Sequence, residues 1–371
     1  MDTWIRILAL VRKEFLSLLR DRAARLVLVG PPLIQLMVFG YAATFDLNHV
    51  PYAVYNEDRG YASRELLARF QGAPTFEQVA SIGADAQLAP LIDDRRALLV
   101  LHLGPHFTRD LLRGTPADLQ LVIDGRDSNT ASVVLNDASQ ILLGFNQDWV
   151  ASHGGRAPPV RLDMRAWYNP NLLSRWFIVP GLVGLLMLLV TLLVTGLSVA
   201  RERETGTFDQ LLVTPMRPVE ILLGKAIPGL IIGGIEGALI AAAAVLWFHV
   251  PLTGSIPALV LGMFLFLVAA IGIGLMISAL ATTQQQGLLG VFLFMVPAVI
   301  LSGFASPIAN MPEIVQALTR LNPLRYFLVI VRGVFLQGAG IEVLVPQFWP
   351  LALLGLAGMV AATWLFRHRL G

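Results

Sequence analysis

The chain has no cysteine in 371 residues. Disulfides, thiolate metal centres and cysteine nucleophiles are therefore excluded, and any outward-facing part must hold together by packing alone. Charge is scarce too: 14% of residues are charged, against about 25% in a soluble domain. Of the 27 basic residues only Lys13 and Lys225 are lysine, and the net charge of +2 gives no argument for nucleic acid. A phosphate-cradling loop is missing as well. Gly224-Lys225-Ala226 lacks both the upstream glycine and the hydroxyl of G-x-x-x-x-G-K-[ST], so energy from ATP would have to arrive through another polypeptide. The histidines His49, His102, His106, His153, His249 and His368 are scattered, with no H-E-x-x-H. His102 and His106 flank Leu103-Gly-Pro105 and read as loop residues rather than metal ligands. No G-x-S-x-G elbow occurs. Asp124-Gly-Arg-Asp127 reads as a polar turn whose side chains cap the backbone. Neither a catalytic residue nor a metal is expected.

What is abundant is apolar. Hydrophobic residues make up 56% of the chain, and the mean hydropathy is +0.68. A helix needs roughly 20 mostly apolar residues to cross ~30 Å of hydrocarbon. The runs at about Leu26–Phe45, Phe177–Ala200, Ile227–Phe248, Ile256–Ala281, Leu288–Phe304 and Phe348–Phe366 predict six spans. The first is longer than a signal peptide's core, and no clear A-x-A site follows it. Arg6, Arg12, Lys13, Arg20, Arg22 and Arg25 put the N-terminus in the cytoplasm. Alternation then puts Arg201, Arg203, Arg217 and Lys225 inside, together with Arg367 and Arg369 at the C-terminus. Residues 1–25 read as an amphipathic helix along the inner interface, with Trp4, Leu8, Val11, Phe15 and Leu18 on one face. An ordinary juxtamembrane anchor is the plainer alternative. No repeat relates the two halves, which weakens a secondary-transporter reading.

Residues 46–175, about 130 in all, are of domain size and differ in character. Tyr52–Tyr55, Ala97–Leu103 and Leu119–Ile123 read as strands, and Ala62–Phe70, Phe107–Leu112 and Asn129–Asp148 as helices. That alternation predicts a small α/β domain. Gly154-Gly155 and Pro158-Pro159 mark a break, and Val160–Tyr168 reads as a return strand. The fold class predicted is a membrane α-helical protein of six transmembrane helices with an inserted periplasmic α/β domain. Its segments are 26–45 (first span), 46–175 (domain), 176–200 (second span), 201–225 (cytoplasmic loop), 226–304 (spans three to five), 305–346 (outer helices) and 347–371 (last span and tail).

Three polar features stand out against this background. In the inner loop, Arg201, Glu202, Arg203 and Glu204 alternate in sign and Gly206 bends the chain. Phe208, Leu211 and Leu212 then share a helical face until Pro215 ends it. Such a helix can dock in a groove of a soluble partner, or be a solvated positive-inside loop. Glu236 lies mid-span in Gly233-Gly-Ile-Glu-Gly237. An acid at that depth is costly and faces a partner or a wet cavity; it reads either as a transport-path residue or as an interhelical hydrogen bond, and Gln35 poses the same question. Pro307–Gln337 is outside yet apolar, and fits two short helices dipping into the outer leaflet or a loop resting on lipid. Arg325 and Arg332 would reach headgroups or pair with Glu313 or Glu342.

Arg201-Glu-Arg-Glu-Thr-Gly-Thr-Phe-Asp-Gln-Leu-Leu-Val-Thr-Pro215, with Glu220 and Leu223-Gly-Lys225, resembles the membrane subunits of ABC type-2 exporters. Trp167-Tyr-Asn-Pro-Asn171, Phe177-Ile-Val-Pro-Gly181, Leu301-Ser-Gly303, Met311-Pro312, Asn322-Pro-Leu-Arg-Tyr-Phe327 and Arg332-Gly333 extend the resemblance over nearly the whole chain. It is nearest to multidrug-type bacterial permeases with a large external domain; Phe208-Asp209, Ala305-Ser306 and Gln337 depart from the pattern. The resemblance implies an inner-membrane permease that exports a drug, toxic compound or lipid-linked amphiphile. The alternative is a mechanotransmitter that relays motion without transport. Implied partners are cytoplasmic ATPase subunits carrying ATP and Mg, a second permease chain, identical or paralogous, membrane lipid and a periplasmic adaptor. Glu202, Glu204, Gly206, Thr207, Asp209 and Leu212 are implied to couple to the ATPase, with Ser302, Gly303, Pro307, Pro323, Arg325 and Arg332 at an outer gate.

Overall fold

Long uncharged runs leave peptide groups no partner but one another in an apolar medium, and the α-helix satisfies them within the segment. A computed structural model of the chain describes residues 2–41, 49–94, 96–126, 128–153, 173–208, 213–214 and 216–368. It divides into two units: Thr44–Arg165, and Met1–Ala43 together with Ala166–Gly371.

The helical unit opens with α1 (Asp2–Arg20) and α2 (Arg22–Tyr41). The packed side of α1 is Ile7, Leu10, Val11 and Leu18, while Trp4, Ile5, Leu8 and Leu19 stay exposed. The sequence put Trp4 and Leu8 on the same stripe as Val11 and Leu18. The helix carries two apolar faces instead, because Ile7, Leu10, Val11 and Leu18 form their own three-and-four-residue stripe. Arg6, Lys13 and Arg20 occupy the third side.

The α/β unit follows. β1 (Val50–Asn56) leads through α3 (Tyr61–Gly72) to β2 (Phe76–Ile82). The chain returns through α4 (Leu88–Asp93) to β3 (Leu99–Leu103), then through α5 (Phe107–Leu112) to β4 (Leu119–Ile123) and the long α6 (Ser128–Ser152). The sheet order is β2-β1-β3-β4. β1 is parallel to β2 and β3, and β3–β4 is antiparallel. Strand alternation sends Tyr52, Val54, Leu99, Leu101 and Leu103 into a core with Leu66, Phe70, Val134 and Phe145. The opposite face carries Ala53, Val100 and Leu91. β2 and α4 were not predicted. β2 is an edge strand with a shifted register beside Tyr52/Ala53, and Glu77, Gln78, Val79 and Ser81 are exposed, so its sequence shows no clean alternation. The expected return strand Val160–Tyr168 and the Gly/Pro break before it lie outside the described residues.

The helical unit resumes with α7 (Ser174–Gly196) and α8 (Ser198–Glu204). Nearly every side chain from Ile178 to Gly196 is buried, so α7 is the axis of the unit. Against it pack α9 (Pro218–Leu246), α10 (Ile256–Leu280), α11 (Gln284–Ile300) and, after the short α12 (Glu313–Leu318), α13 (Pro323–Leu336), while α14 (Ile341–His368) packs on α10 and α13. Leu239, Leu246, Leu289, Leu293, Leu353 and Leu356 are exposed on α9, α11 and α14. Apolar surface on that scale is not stable against water, which fits lipid contact.

Among the described residues, four helices are long and apolar enough to cross a membrane: Ser174–Glu204, Pro218–Leu246, Ile256–Leu280 and Ile341–His368. The expected first and fifth spans correspond to shorter apolar helices, Leu28–Tyr41 and Gln284–Ile300. The first was expected to reach Phe45, beyond the described residues. The other ends early because the chain turns at Leu301-Ser302-Gly303, where Gly303 has φ +82°. Glu313–Leu321 and Pro323–Leu336 form a pair bent by 82°.

Candidate functional site

The alternating charges after α7 each have a separate structural task. The amide of Val199 donates to Ser278 Oγ at 2.9 Å, which fixes the start of α8 on the end of α10. Arg203 Nη1 donates to the carbonyls of Ala279 and Ala281 at 3.1 and 3.2 Å. A cation thus meets the negative end of α10. Glu204 Oε2 accepts from the amide of Gln284 at 2.8 Å, so an anion meets the positive first turn of α11. Arg201 Nε reaches Gln284 Oε1 at 3.5 Å.

Gly206 then closes the helix. Its amide donates to Arg203 O at 3.1 Å and that of Thr207 to Glu202 O at 3.0 Å. This is the paired pattern of a Schellman ending, which needs a left-handed residue, and Gly206 has φ +70°. The predicted face begins at Phe208, but Phe208 is buried. It meets Phe366 of α14 edge-on at 6.0 Å, and Arg203 covers its ring at 5.0 Å. Phe208 therefore anchors the loop internally and is not open to a partner. Asp209, Leu211, Leu212 and Pro215 lie outside the described residues.

Glu202 points inward. Lys225 on α9 is fully buried, and its Nζ donates to Glu14 Oε1 at 2.9 Å and to Ser198 Oγ at 3.1 Å. The same nitrogen lies 2.7 Å from Glu202 Oε2, a charge contact rather than an aligned hydrogen bond. Lys13 of α1 binds the other oxygen, Glu202 Oε1. Two ammonium groups thus face two carboxylates. The cluster is neutral as a whole, which is what makes burial of Lys225 tolerable. Leu10 of α1 fills the space opposite Gly224 of α9, where a methyl group would lie 2.5 Å from it. A groove of about 360 Å³ runs beside this junction, lined by Arg6, Ala9, Leu10, Lys13, Thr214 and Met216.

Sequence reasoning had Glu202 and Glu204 as partner contacts. It missed Lys13, Glu14, Ser198 and Lys225 as one cluster. The available signal was Lys225 itself, a rare lysine entering an apolar run, where a buried cation demands a partner.

The remaining predicted residues lie elsewhere. Among the described residues, both carboxylate oxygens of Glu236 are buried without a hydrogen-bond partner, as is Gln35 Oε1. Ser302 is buried and donates to Val299 O at 2.6 Å. Pro307 precedes a short 3₁₀ turn at Ile308–Asn310, and Pro323 starts α13 after the Asn322 cap. Arg325 binds Thr319 Oγ1. Arg332 lies 3.8 Å over the ring of Phe177, with Nε and Nη2 lacking hydrogen-bond partners among the described residues. Among the described residues, neither arginine pairs with Glu313 or Glu342.

Sequence comparison adds to this geometry. Residues 26–364 match the family described as ABC-2 family transporter protein. The probable multidrug ABC transporter permease YbhR of Escherichia coli strain K12 is 39% identical over 366 residues, 98% of this chain and 99% of the relative. YbhS of the same strain, also a probable multidrug ABC transporter permease, is 32% identical over 99% of this chain and 98% of the relative. The inner membrane transport permease YhhJ is 31% identical over 97% of this chain and 96% of the relative. With several apolar helices gathered round a charged junction and a family match spanning nearly its full length, the chain belongs to the ABC-2 transporter family, as a multi-pass permease subunit of an ABC transporter.

Proposed function

We propose that the chain is the conducting half of an ATP-driven exporter in the bacterial inner membrane, moving an amphiphilic small molecule outward. The observation that carries this is the α8 junction. Hydrogen bonds and ion pairs join α8 to α1, α9, α10 and α11 at once, so force applied to residues 205–216 is delivered to four helices together. ATP and Mg act on separate cytoplasmic ATPase subunits, which press on this segment through Glu204, Thr207, Asp209 and Leu212. The chain crosses six times, with α2 and α11 as its shorter spans, both termini inside and the α/β unit in the periplasm. α12 and α13 form a re-entrant pair at the outer gate, with Ser302, Gly303, Pro307, Pro323, Arg325 and Arg332. A second permease chain completes the pathway, and a periplasmic adaptor and surrounding lipid are further partners.

The test reverses two charges, Glu204→Lys with Asp209→Lys, in inverted vesicles carrying the permease and its ATPase. Losing one side of a charged contact commonly costs about 2–5 kcal/mol. Accumulation of cargo is expected to stop, and recovery of ATPase with the permease to fall at least tenfold. Unchanged accumulation and unchanged association would sink the proposal. Retained ATP-driven movement of the α/β unit with no cargo accumulated by the unaltered complex would favour force relay instead.

A further inference from the structure

Glu236 is the only acidic residue between Glu220 and Glu313, and it lies within α9. A carboxylate is an acceptor only, yet neither of its buried oxygens receives a hydrogen bond among the described residues. Acids in such segments are expensive and are kept for a purpose.

The surroundings narrow the purpose. Ile232 is one turn before Glu236 and so shares its side of the helix. Ile232 and Leu28 of α2 both pack against one cluster formed by Val190 and Val194 of α7 with Leu18 of α1. Glu236 is therefore presented toward the seam of α7 and α2. Gln35 lies seven residues after Leu28, on the same stripe of α2. Thr191 is next to Val190, and its fully buried Oγ1 also lacks a hydrogen-bond partner among the described residues. A methyl group at Gly233 would sit 2.5 Å from that Oγ1, so Thr191 is within one helical turn of Glu236. Gln35 Oε1 is the third orphan. Among the described residues, a carboxylate, an amide oxygen and a hydroxyl on three helices along this seam lack partners, and the first two are acceptors only.

The neighbouring side chains are soft. A methyl group at Gly237 would lie 2.3 Å from Met187 Sδ and 2.6 Å from Met263 Cε. Methionine is flexible and polarisable, and recurs on surfaces that accept varied ligands. Acceptors without donors call for a group rich in N–H and carrying positive charge, and thioethers beside them suit an apolar body of variable shape.

We propose that Glu236, with Thr191 and Gln35, receives the protonated amine of a cationic amphiphile during transport. This rests on the export reading and names the cargo class. The test uses a dansylated long-chain primary amine and its N-acetyl amide, which keeps the tail but has no charge. Binding is measured by fluorescence on the purified permease–ATPase complex, and accumulation in inverted vesicles. The wild type is expected to bind and accumulate the amine. Glu236→Gln should weaken amine binding about tenfold or more, as loss of a hydrogen bond to a charged group does, with the amide changed less than about twofold. Glu236→Asp should restore part of the amine response. No amine binding by the wild type, or amine binding unchanged in Glu236→Gln, overturns the inference. So does an equal fall for both probes, or dissociation of the Glu236→Gln complex, since the acid would then be structural. Glu236-dependent binding with no accumulation would leave the site standing and remove export. Accumulation of both probes independent of Glu236 would do the reverse.

Discussion

The two units treat buried polarity in opposite ways. In the α/β unit, polar groups close on near neighbours. Arg126 forks onto Asp124 at 2.7 and 2.9 Å and reaches Ile92 O at 2.6 Å. Burial works against a charged Asp58, but bonds from Thr108, Ser63 and the Gly60 amide outweigh it and hold its pKa below the usual carboxylate range. The Tyr52 hydroxyl is the single buried orphan found there among the described residues. In the helical unit Gln35, Thr191, Glu236 and Arg332 all keep buried atoms without a hydrogen-bond partner among the described residues. A unit that serves only its own fold satisfies its polar groups. One that leaves several open in a packed interior keeps capacity for something outside itself.

The largest effect should come from the buried charge cluster of the helical unit, where Lys13 and Lys225 face Glu14 and Glu202. Lys225→Met leaves Glu14 and Glu202 facing each other without their buried counter-charge. Breaking one side of such a pair costs about 3–5 kcal/mol. Folded permease recovered from membranes should drop sharply, and adding Glu202→Gln should recover part of it. If Lys225→Met is tolerated at wild-type levels, the junction is not the clamp described.

An intermediate effect separates the units with one chemistry. Gly206 and Gly114 have φ of +70° and +71°, and both have open space where a methyl group would go. Alanine at either adds only left-handed strain, about 1–2 kcal/mol. Both variants should lose similar thermal stability. Gly206→Ala should in addition reduce stimulation of the ATPase by cargo, and Gly114→Ala should not. Equal effects on stimulation would erase the distinction.

The smallest effect is a pH response of the α/β unit. Burial opposes charge on His102, but bonds to Glu57 at 2.9 Å and Gln120 at 3.2 Å outweigh it and raise its pKa. The bond to His102, then that to Tyr55, lowers the pKa of Glu57. The histidine's contribution is therefore complete below its ordinary value of about 6.5 and fades as pH climbs through the raised folded value. The glutamate's is present above its ordinary range and fades as pH falls through the lowered one. Amide protection factors across β1 and β3 in the full chain, with the intrinsic rise of exchange with pH divided out, should fall slightly from pH 6 to pH 8.5, and His102→Gln should flatten that change.

Much of this architecture was readable in advance, for reasons particular residues make plain. α5 and β4 were placed to the residue because Phe107–Leu112 and Leu119–Ile123 carry complete local patterns. Gly206 announced the end of α8. β2 was invisible because an edge strand with exposed Glu77, Gln78 and Ser81 has no hydrophobic rhythm. The clamp was invisible for a different reason: Lys225 finds Glu14 across 211 positions of sequence. Local pattern shows that a buried lysine needs an anion, but not which one. Phe208 was misassigned because amphipathic spacing cannot distinguish a partner's groove from the chain's own last helix.

The chain's two lysines converge on one glutamate, Lys13 half open to solvent and Lys225 sealed beneath it. Side-chain amines occur nowhere else in the sequence. A mild acylating reagent therefore has one accessible ε-amine to choose, and it sits on the joint itself. Under the coupling proposed above, a dye on Lys13 would report movement of α1 against α8 without any engineered cysteine.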